Sequence, residues 1–433
     1  MSNSHSQIPL SYLSSLSGIG GKLKTVPEDF RVEEIAIDST VLELDTSIVH
    51  ADARTEIGGG KYLHFILQKK NWSTSSALSE IASRLHISPT RFNTAGIKDK
   101  NAITTQLASV SGVTKEQLAS LRIKDIQING CWTAANRIGM GDLLGNRFTI
   151  TVRDCGADAG NRTDAIAASL NSTFPNYFGE QRFGSTRNNT HLIGQNLLQN
   201  KLEDAVFMFL CDSEGEQNSE AKLARKELVE TRNFKTALKT YPKHLRLERS
   251  MIAQLEKNQN NYLLALRSLP RNILLLFVHA FQSYLFNQLL SERVGELDRS
   301  GSEPVGGLNE NGKHELNCGL ELEEGEYFCG EKLGFPDIEK TEAEGWIVGK
   351  IIGYQTMLNE RERNLLEKLE ISKEDFRVKA IPELGSKGTY RTLLSPLKDF
   401  SHSSLSETSH QFRFSLQSGS YATVAMREFM DKK

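Results

Sequence analysis

Hydrophobic and polar positions follow three successive patterns along this chain. In the first, strand-like segments dominate. Phe30 and Val32 alternate with Arg31 and Glu33, beyond a Pro27 that breaks any helix. Residues 62–67 and 102–110 read as further strands, the latter rich in β-branched Ile103, Thr104 and Thr105, and 146–152 alternates again. Gly18, Gly20 and Gly21, and later Gly58, Gly59 and Gly60, mark turns. Between the strands, Leu78, Ile81, Ala82 and Leu85 recur at helical spacing, predicting a helix over 74–85 capped by Ser73 or Thr74. A short helix is expected over 113–121, and another beginning at 164–170.

From about residue 203 the pattern turns to long helices. Pro270 separates two of them, Asn272 is a candidate cap for a helix over 273–294, and Leu276, Phe277, Ala280, Tyr284 and Leu285 mark its buried face. A third pattern begins at Cys318. Gly334, Gly345, Gly349 and Gly353 punctuate short apolar strands such as Trp346-Ile347-Val348, predicting a small β-module before a helix over 360–369. Beyond Gly388, strands are expected over 391–397 and 411–416, then a glycine turn presenting Tyr421 and a helix from near Thr423.

Composition narrows the classes. A chain of 433 residues is long enough for two domains, and 38% hydrophobic with 24% charged residues is a globular mixture. A net charge of −2 argues against an all-over basic surface, so a nucleic-acid partner would need a local patch. The richest basic stretch runs from Lys222 through Arg225, Lys226, Arg232, Lys235, Lys239, Lys243 and Arg246 to Arg249. It reads either as a solvated helix face or as a grip on a phosphate backbone. Five cysteines without a Cys-x-x-Cys pair point to a reducing compartment. His314, Cys318 and Cys329 lack a fourth partner at metal-ligand spacing, so no metal is expected. No signal peptide is evident, and the longest apolar run, 273–280, is too short to span a bilayer.

Three stretches carry candidate chemistry. Asp99 lies between Lys98 and Lys100, after Gly96 and before a strand. A glycine there suits a sharp turn or close backbone approach to a ligand, and a carboxylate at a strand mouth can be held rigidly. The same sequence also fits a solvated surface loop. Residues 176–184 put Tyr177, Phe178 and Phe183 among Asn176, Gln181, Arg182, Gly179 and Gly184: rings to stack on a splayed base and groups to bond its edges, or a turn packing its rings inward. The third is the Gly419–Tyr421 turn. Phe30 fits either the core or an exposed strand start.

With these stretches assembled, the chain resembles the TruD family of tRNA pseudouridine synthases. Residues 24–34, 95–106, 176–184 and 419–428 match in order and spacing, with a weaker fifth block at His279-Ala280-Phe281-Gln282-Ser283-Tyr284. The lead-in before Gly20 and the long middle segment are more like archaeal or eukaryotic members. The resemblance implies an α+β fold: a catalytic domain of mixed, mainly antiparallel sheet flanked by helices, from residues 1–202 and 388–433, with a large α/β insertion domain at 203–387. It implies isomerisation of uridine to pseudouridine in tRNA, at position 13 of the D arm, with no cofactor or metal, in the cytoplasm, and no membrane or obligate protein partner.

Asp99 matches the family's catalytic aspartate, attacking the sugar or removing a sugar proton. Phe30, Asn176, Phe178 and Tyr421 match its base pocket, and Lys24 is a candidate charge partner for Asp99 or a phosphate. Tyr421 stands where bacterial members usually carry phenylalanine. The competing classes are a tRNA-binding chaperone, which would not require Asp99, and a sugar-processing hydrolase, for which Glu180 is the candidate second carboxylate.

Overall fold

The computed structural model describes residues 9–47, 60–184, 186–299 and 316–430. Gly58, Gly59 and His314 lie outside them. The first part of the chain forms β1 (Gly20–Lys22), β2 (Phe30–Ile35), β3 (Tyr62–Lys70), α1 (Thr74–Arg84), β4 (Phe92–Thr94), β5 (Ile103–Ser111), α2 (Lys115–Ala119), β6 (Ile126–Ala134), β7 (Gly145–Cys155), α3 (Ala159–Leu170) and β8 (Thr173–Pro175). Ser73 caps α1, its side chain accepting from the Ser76 amide. Helix α3 starts at Ala159, earlier than its apolar spacing predicts; Ala159, Thr163, Ile166 and Leu170 form its buried row.

The middle is helical: α4 (Thr190–Leu198), α5 (Leu202–Cys211), α6 (Ser219–Thr231), α7 (Phe234–Thr240), α8 (Arg246–Lys257), α9 (Tyr262–Arg267) and α10 (Arg271–Arg299). Most of these are short rather than long, because caps interrupt the pattern. Arg232, in the left-handed region at φ 50°, ends α6, and Asn233 caps α7. Helix α10 begins directly after Pro270, whose carbonyl accepts from Ile273 and Leu274, so Asn272 is inside the helix and not its cap. Of its expected buried face, Phe277, Ala280 and Leu285 are buried, whereas Leu276 is exposed. Among the described residues α10 is the one helix long and apolar enough to cross a membrane, and 67% of its apolar 18-residue window is buried in the fold.

The chain closes with β9 (Tyr327–Lys332), β10 (Phe335–Glu342), β11 (Trp346–Ile351), α11 (Glu360–Lys368), β12 (Thr389–Thr392), β13 (Leu394–Pro396), β14 (Lys398–Ser406), β15 (Ser409–Gln417) and α12 (Ala422–Phe429). Among the described residues one mixed sheet has nine strands, along the path β14-β15-β7-β2-β5-β3-β6, with β1 beside β7 and β4 beside β5. Of its pairings, β2 with β5 is parallel and the others are antiparallel. A four-stranded sheet runs β10-β9-β11-β12. The edge strand β14 carries four serines and little apolar content, which hides it from hydrophobic periodicity; pairing with β15 defines it instead.

Two large cores result. One gathers Phe30, Val32, Phe148, Ile150, Phe412 and Phe414 of the nine-stranded sheet with Phe286, Leu290 and Val294 of α10 and with Trp346 and Val348 of β11. The other joins α4–α10 to residues 352–384. Helix α10 therefore serves both cores.

Candidate active site

Register fixes the site. Parallel pairing sets Arg31 opposite Ile103, so the loop before β5 lies at the same end of the sheet as the start of β2. Strand β15 ends with Gln417 opposite Gly145, and the turn after it folds back over the same face. Between loop and turn is a cleft of about 380 Å³, lined by Phe30, Val32, Asn146 and Phe148 from the sheet, Gly96 to Asp99 from the loop, Gln181, and residues 418–423. Its size is that of a small-ligand pocket. A larger cleft, about 630 Å³, between α10 and α11 carries Glu292, Glu323, Glu324 and Glu360 and does not suit a polyanion.

Asp99 faces the cleft. Lys24 Nζ is 3.0 Å from its Oδ1, and Gln181 Nε2 donates to the same oxygen at 3.2 Å. Their side chains retain 28% exposure for Asp99 and 20% for Lys24, enough to be reached from solvent. Lys24, in the left-handed region at φ 55°, also lies 4.0 Å over the Phe30 ring.

The loop is braced from below. Gln106 donates to the Gly96 carbonyl at 3.0 Å, while Thr74 donates to Gln106 and accepts from the Lys98 amide. Lys98 itself is buried: it pairs with Glu34 at 2.7 Å and reaches Asn146 Oδ1 at 2.5 Å. Burial pulls its ammonium below the ordinary lysine range, against the opposing pull of Glu34. Lys69, fully buried on β3, donates to the Asp99 carbonyl at 2.7 Å. Burial brings its pKa down to about 8. Gly96 has no left-handed backbone, and a Cβ there would meet nothing within 4 Å. The turn needs no glycine; the open space beside it belongs to the cleft.

Phe30 is 1% exposed, forming cleft floor as part of the core. Tyr421 is a wall, its ring lying over Gly179, where an added Cβ would come within 2.8 Å. Phe178 is one ring behind, edge-on to Tyr421 at 6.4 Å and to Phe286 at 5.7 Å. Asn176 is fully buried and does not line the cleft. Its amide donates to Thr392, and its Oδ1 accepts from Arg391 at 2.6 Å and Ser420 at 2.9 Å, tying β8 to the Tyr421 turn. Glu180, exposed, is not among the residues lining the cleft.

Sequence reasoning missed the groups that position these residues. Asn287 of α10 brackets Phe178 by accepting from its N–H at 2.8 Å and donating to its carbonyl at 2.9 Å. Arg391 spans Asn176 and Gly419. The His279–Tyr284 block was the available signal for α10; a lone arginine on a predicted strand offered none for Arg391. Three of the nine cations in the basic stretch are already engaged. Arg225 is buried against Glu216 and Glu248, Arg232 pairs with Glu203, and Arg249 donates to the Leu238 and Tyr241 carbonyls. Lys222, Lys226, Lys235, Lys239, Lys243 and Arg246 remain exposed.

Residues 9–429 match the model of a family described as tRNA pseudouridine synthase D (TruD). A relative from Archaeoglobus fulgidus named "Probable tRNA pseudouridine synthase D" is 35% identical, covering 97% of this chain and 97% of that protein. One of the same name from Methanosarcina acetivorans is 32% identical over 97% of this chain and 94% of its own length. The crystal structure of the TruD protein of Methanosarcina mazei superposes with a TM-score of 0.71 at 31% identity, covering 97% of this chain and 95% of that one.

Proposed function

The chain belongs to the TruD family of tRNA pseudouridine synthases, and from that premise we propose that Asp99 is its catalytic carboxylate, acting on a uridine at position 13 of the tRNA D arm. The protein is an isomerase acting on tRNA uridine. The glycosidic bond from ribose to a ring nitrogen breaks, the uracil turns, and a ring carbon bonds to the same sugar carbon. Reactant and product are isomers, so the chemistry calls for no redox cofactor or hydrolytic metal.

The observation that carries the reading is the Asp99 carboxylate, held by Lys24 and Gln181 at the mouth of a cleft whose floor is Phe30 and whose wall is Tyr421. A stacked or paired uridine must be flipped out to reach it, at a cost of a few kcal/mol. Tyr421 offers the flipped uracil a ring; Phe178 and Asn176 support that ring from behind. Asp99 then attacks the sugar or removes a sugar proton. We assign catalysis to residues 1–202 with 388–433, treat 203–387 as the inserted domain, and assign the activity to the cytoplasm. The free thiols of Cys131, Cys155, Cys211, Cys318 and Cys329 suit that compartment.

The test is incubation with unmodified tRNA transcript and mapping of pseudouridine on the product. The native enzyme should modify position 13, and Asp99→Asn should abolish the product while tRNA binding changes by less than about tenfold, roughly 1.4 kcal/mol. Retained turnover in the asparagine variant would overturn the assignment. Binding without product from the native enzyme would favour a chaperone.

A further inference from the structure

Phe178 is flanked by two cations that the proposed chemistry does not use. The Arg391 guanidinium lies 4.3 Å from its ring centre and that of Arg182 lies 5.6 Å away. Both are part-buried, and neither has a carboxylate within ion-pair distance among the described residues. Their hydrogen bonds go to neutral acceptors: Arg182 Nε to Ser283 Oγ at 3.1 Å, and Arg391 to the Asn176 carbonyl, Asn176 Oδ1 and the Gly419 carbonyl. A guanidinium carries five N–H donors, so each keeps part of its fork unused.

Such an arrangement is costly in the empty protein. Burial and repulsion from Arg182 disfavour charge on Arg391, against the opposing pull of Tyr421, whereas the more deeply buried Arg225 is answered by Glu216 and Glu248. The position is telling too. Phe178 touches Tyr421, a wall of the cleft, and Gln181, next to Arg182, donates to Asp99. A nucleotide flipped towards Asp99 carries a phosphate on each side of its sugar.

We propose that Arg182 and Arg391 form a phosphodiester-binding subsite that grips one backbone phosphate of the RNA beside the reacting uridine. The proposal rests on the tRNA-isomerase reading. An unpaired guanidinium fork fits two phosphate oxygens, and two forks on either side of one ring fix the phosphate relative to the stacked base. Backbone contacts of this kind set register and leave sequence selection to other groups.

The experiment uses tRNAs assembled from synthetic halves, each with one phosphate near the target uridine replaced by an uncharged methylphosphonate, the scan being continued along the D arm. Binding is measured for the native enzyme, Arg182→Gln and Arg391→Lys. For the native enzyme, one linkage should weaken binding about tenfold. Arg182→Gln should weaken binding of unaltered tRNA by a similar factor, yet lose no more than about twofold further on the sensitive tRNA. Arg391→Lys keeps the charge but loses the fork, and should give a smaller loss at the same linkage. Because both arginines also brace their neighbours, through Ser283 and Gly419, the linkage pattern scores the proposal: a bracing role alone would weaken every tRNA by the same factor, whatever its altered linkage. The proposal is overturned if no linkage is sensitive, if the two losses multiply at every linkage, or if both variants bind as tightly as the native protein. Pseudouridine formation by the native enzyme, read on the unaltered tRNA, scores the underlying function separately.

Discussion

At the scale of residues, the glycine- and lysine-rich loop of Asp99 by itself fits a solvated surface loop, and it is the company of the other matching blocks that makes Asp99 the proposed carboxylate. What holds it was not legible. Lys69, Glu34, Asn146 and Gln106 come from four other strands, and only the sheet register brings them beneath one loop. Lys69 makes a testable case. Unfolded, it keeps its proton to about pH 10.5; folded, burial makes it release near pH 8. Between those values the unfolded chain binds more protons, so the Lys69 contribution to stability rises with pH. Relative to Lys69→Met, the native protein should gain up to about 3 kcal/mol between pH 7.5 and 10.5 in denaturant melts. A difference that stays constant with pH would mean that Lys69 keeps its proton in the fold as it does in the unfolded chain. Tyr421 separates function from packing. Its hydroxyl makes no hydrogen bond among the described residues, so the expectation is that the ring acts and the hydroxyl does not. Stacking is worth roughly 1–3 kcal/mol per base. Single-turnover rates should therefore fall about 5- to 150-fold in Tyr421→Ala and barely change in Tyr421→Phe, with little movement in the melting temperature of either.

At the scale of elements, periodicity located β2, β3, β5, β7, α1 and α11 closely, because each buries one regular face. It failed where something else set the boundary. A cap in the left-handed region cut the basic segment into α6 and α7, and pairing alone made a strand of serine-rich β14. The basic stretch shows why charge counting misleads. Arg225 is 1% exposed, 2.8 Å from Glu248 and 3.3 Å from Glu216, and donates to the Phe209 and Leu210 carbonyls. It joins α5, α6 and α8 and is not a surface for RNA. Removing one member of a buried pair leaves the others uncompensated, at about 3–5 kcal/mol. Arg225→Ala should lower the melting temperature sharply. Lys222→Gln with Lys226→Gln should leave it unchanged, and any effect of that pair should be confined to the salt dependence of tRNA binding. Equal melting temperatures for the arginine and lysine variants would contradict the structural role.

At the scale of the whole molecule, the packing does not treat the proposed insertion, residues 203–387, as a separate body. Strand β11 pairs with β12 at Thr389–Thr392, beyond the proposed boundary, and Asn176 then fastens Thr392 to the cleft wall. Helix α10 divides its apolar side chains, giving Phe277, Phe281 and Leu285 to the helical core and Phe286, Leu290 and Val294 to the core of the large sheet. The hydrophobic pattern of α10 showed that it is buried, but no periodicity records which partner each face meets. The consequence is that the segment 203–387 expressed alone should not fold stably. It would lose the strand paired to β11 and α4, whose Gly194 sits so close to α10 that an added Cβ would strike the Phe277 carbonyl. It would also expose Phe286, Leu290 and Val294. A fragment spanning 190–393 restores β12 and α4 and should be the more soluble, with a cooperative melt by circular dichroism, although the three apolar residues remain uncovered. Equal cooperativity in the two fragments would show that the boundary in sequence is also a boundary in stability. If α10 does couple the cores, Val294→Ala, a cavity remote from the cleft, should destabilise both halves together by about 1–3 kcal/mol, read as one lowered unfolding midpoint. Two separated transitions, with only the large-sheet half displaced, would refute the coupling.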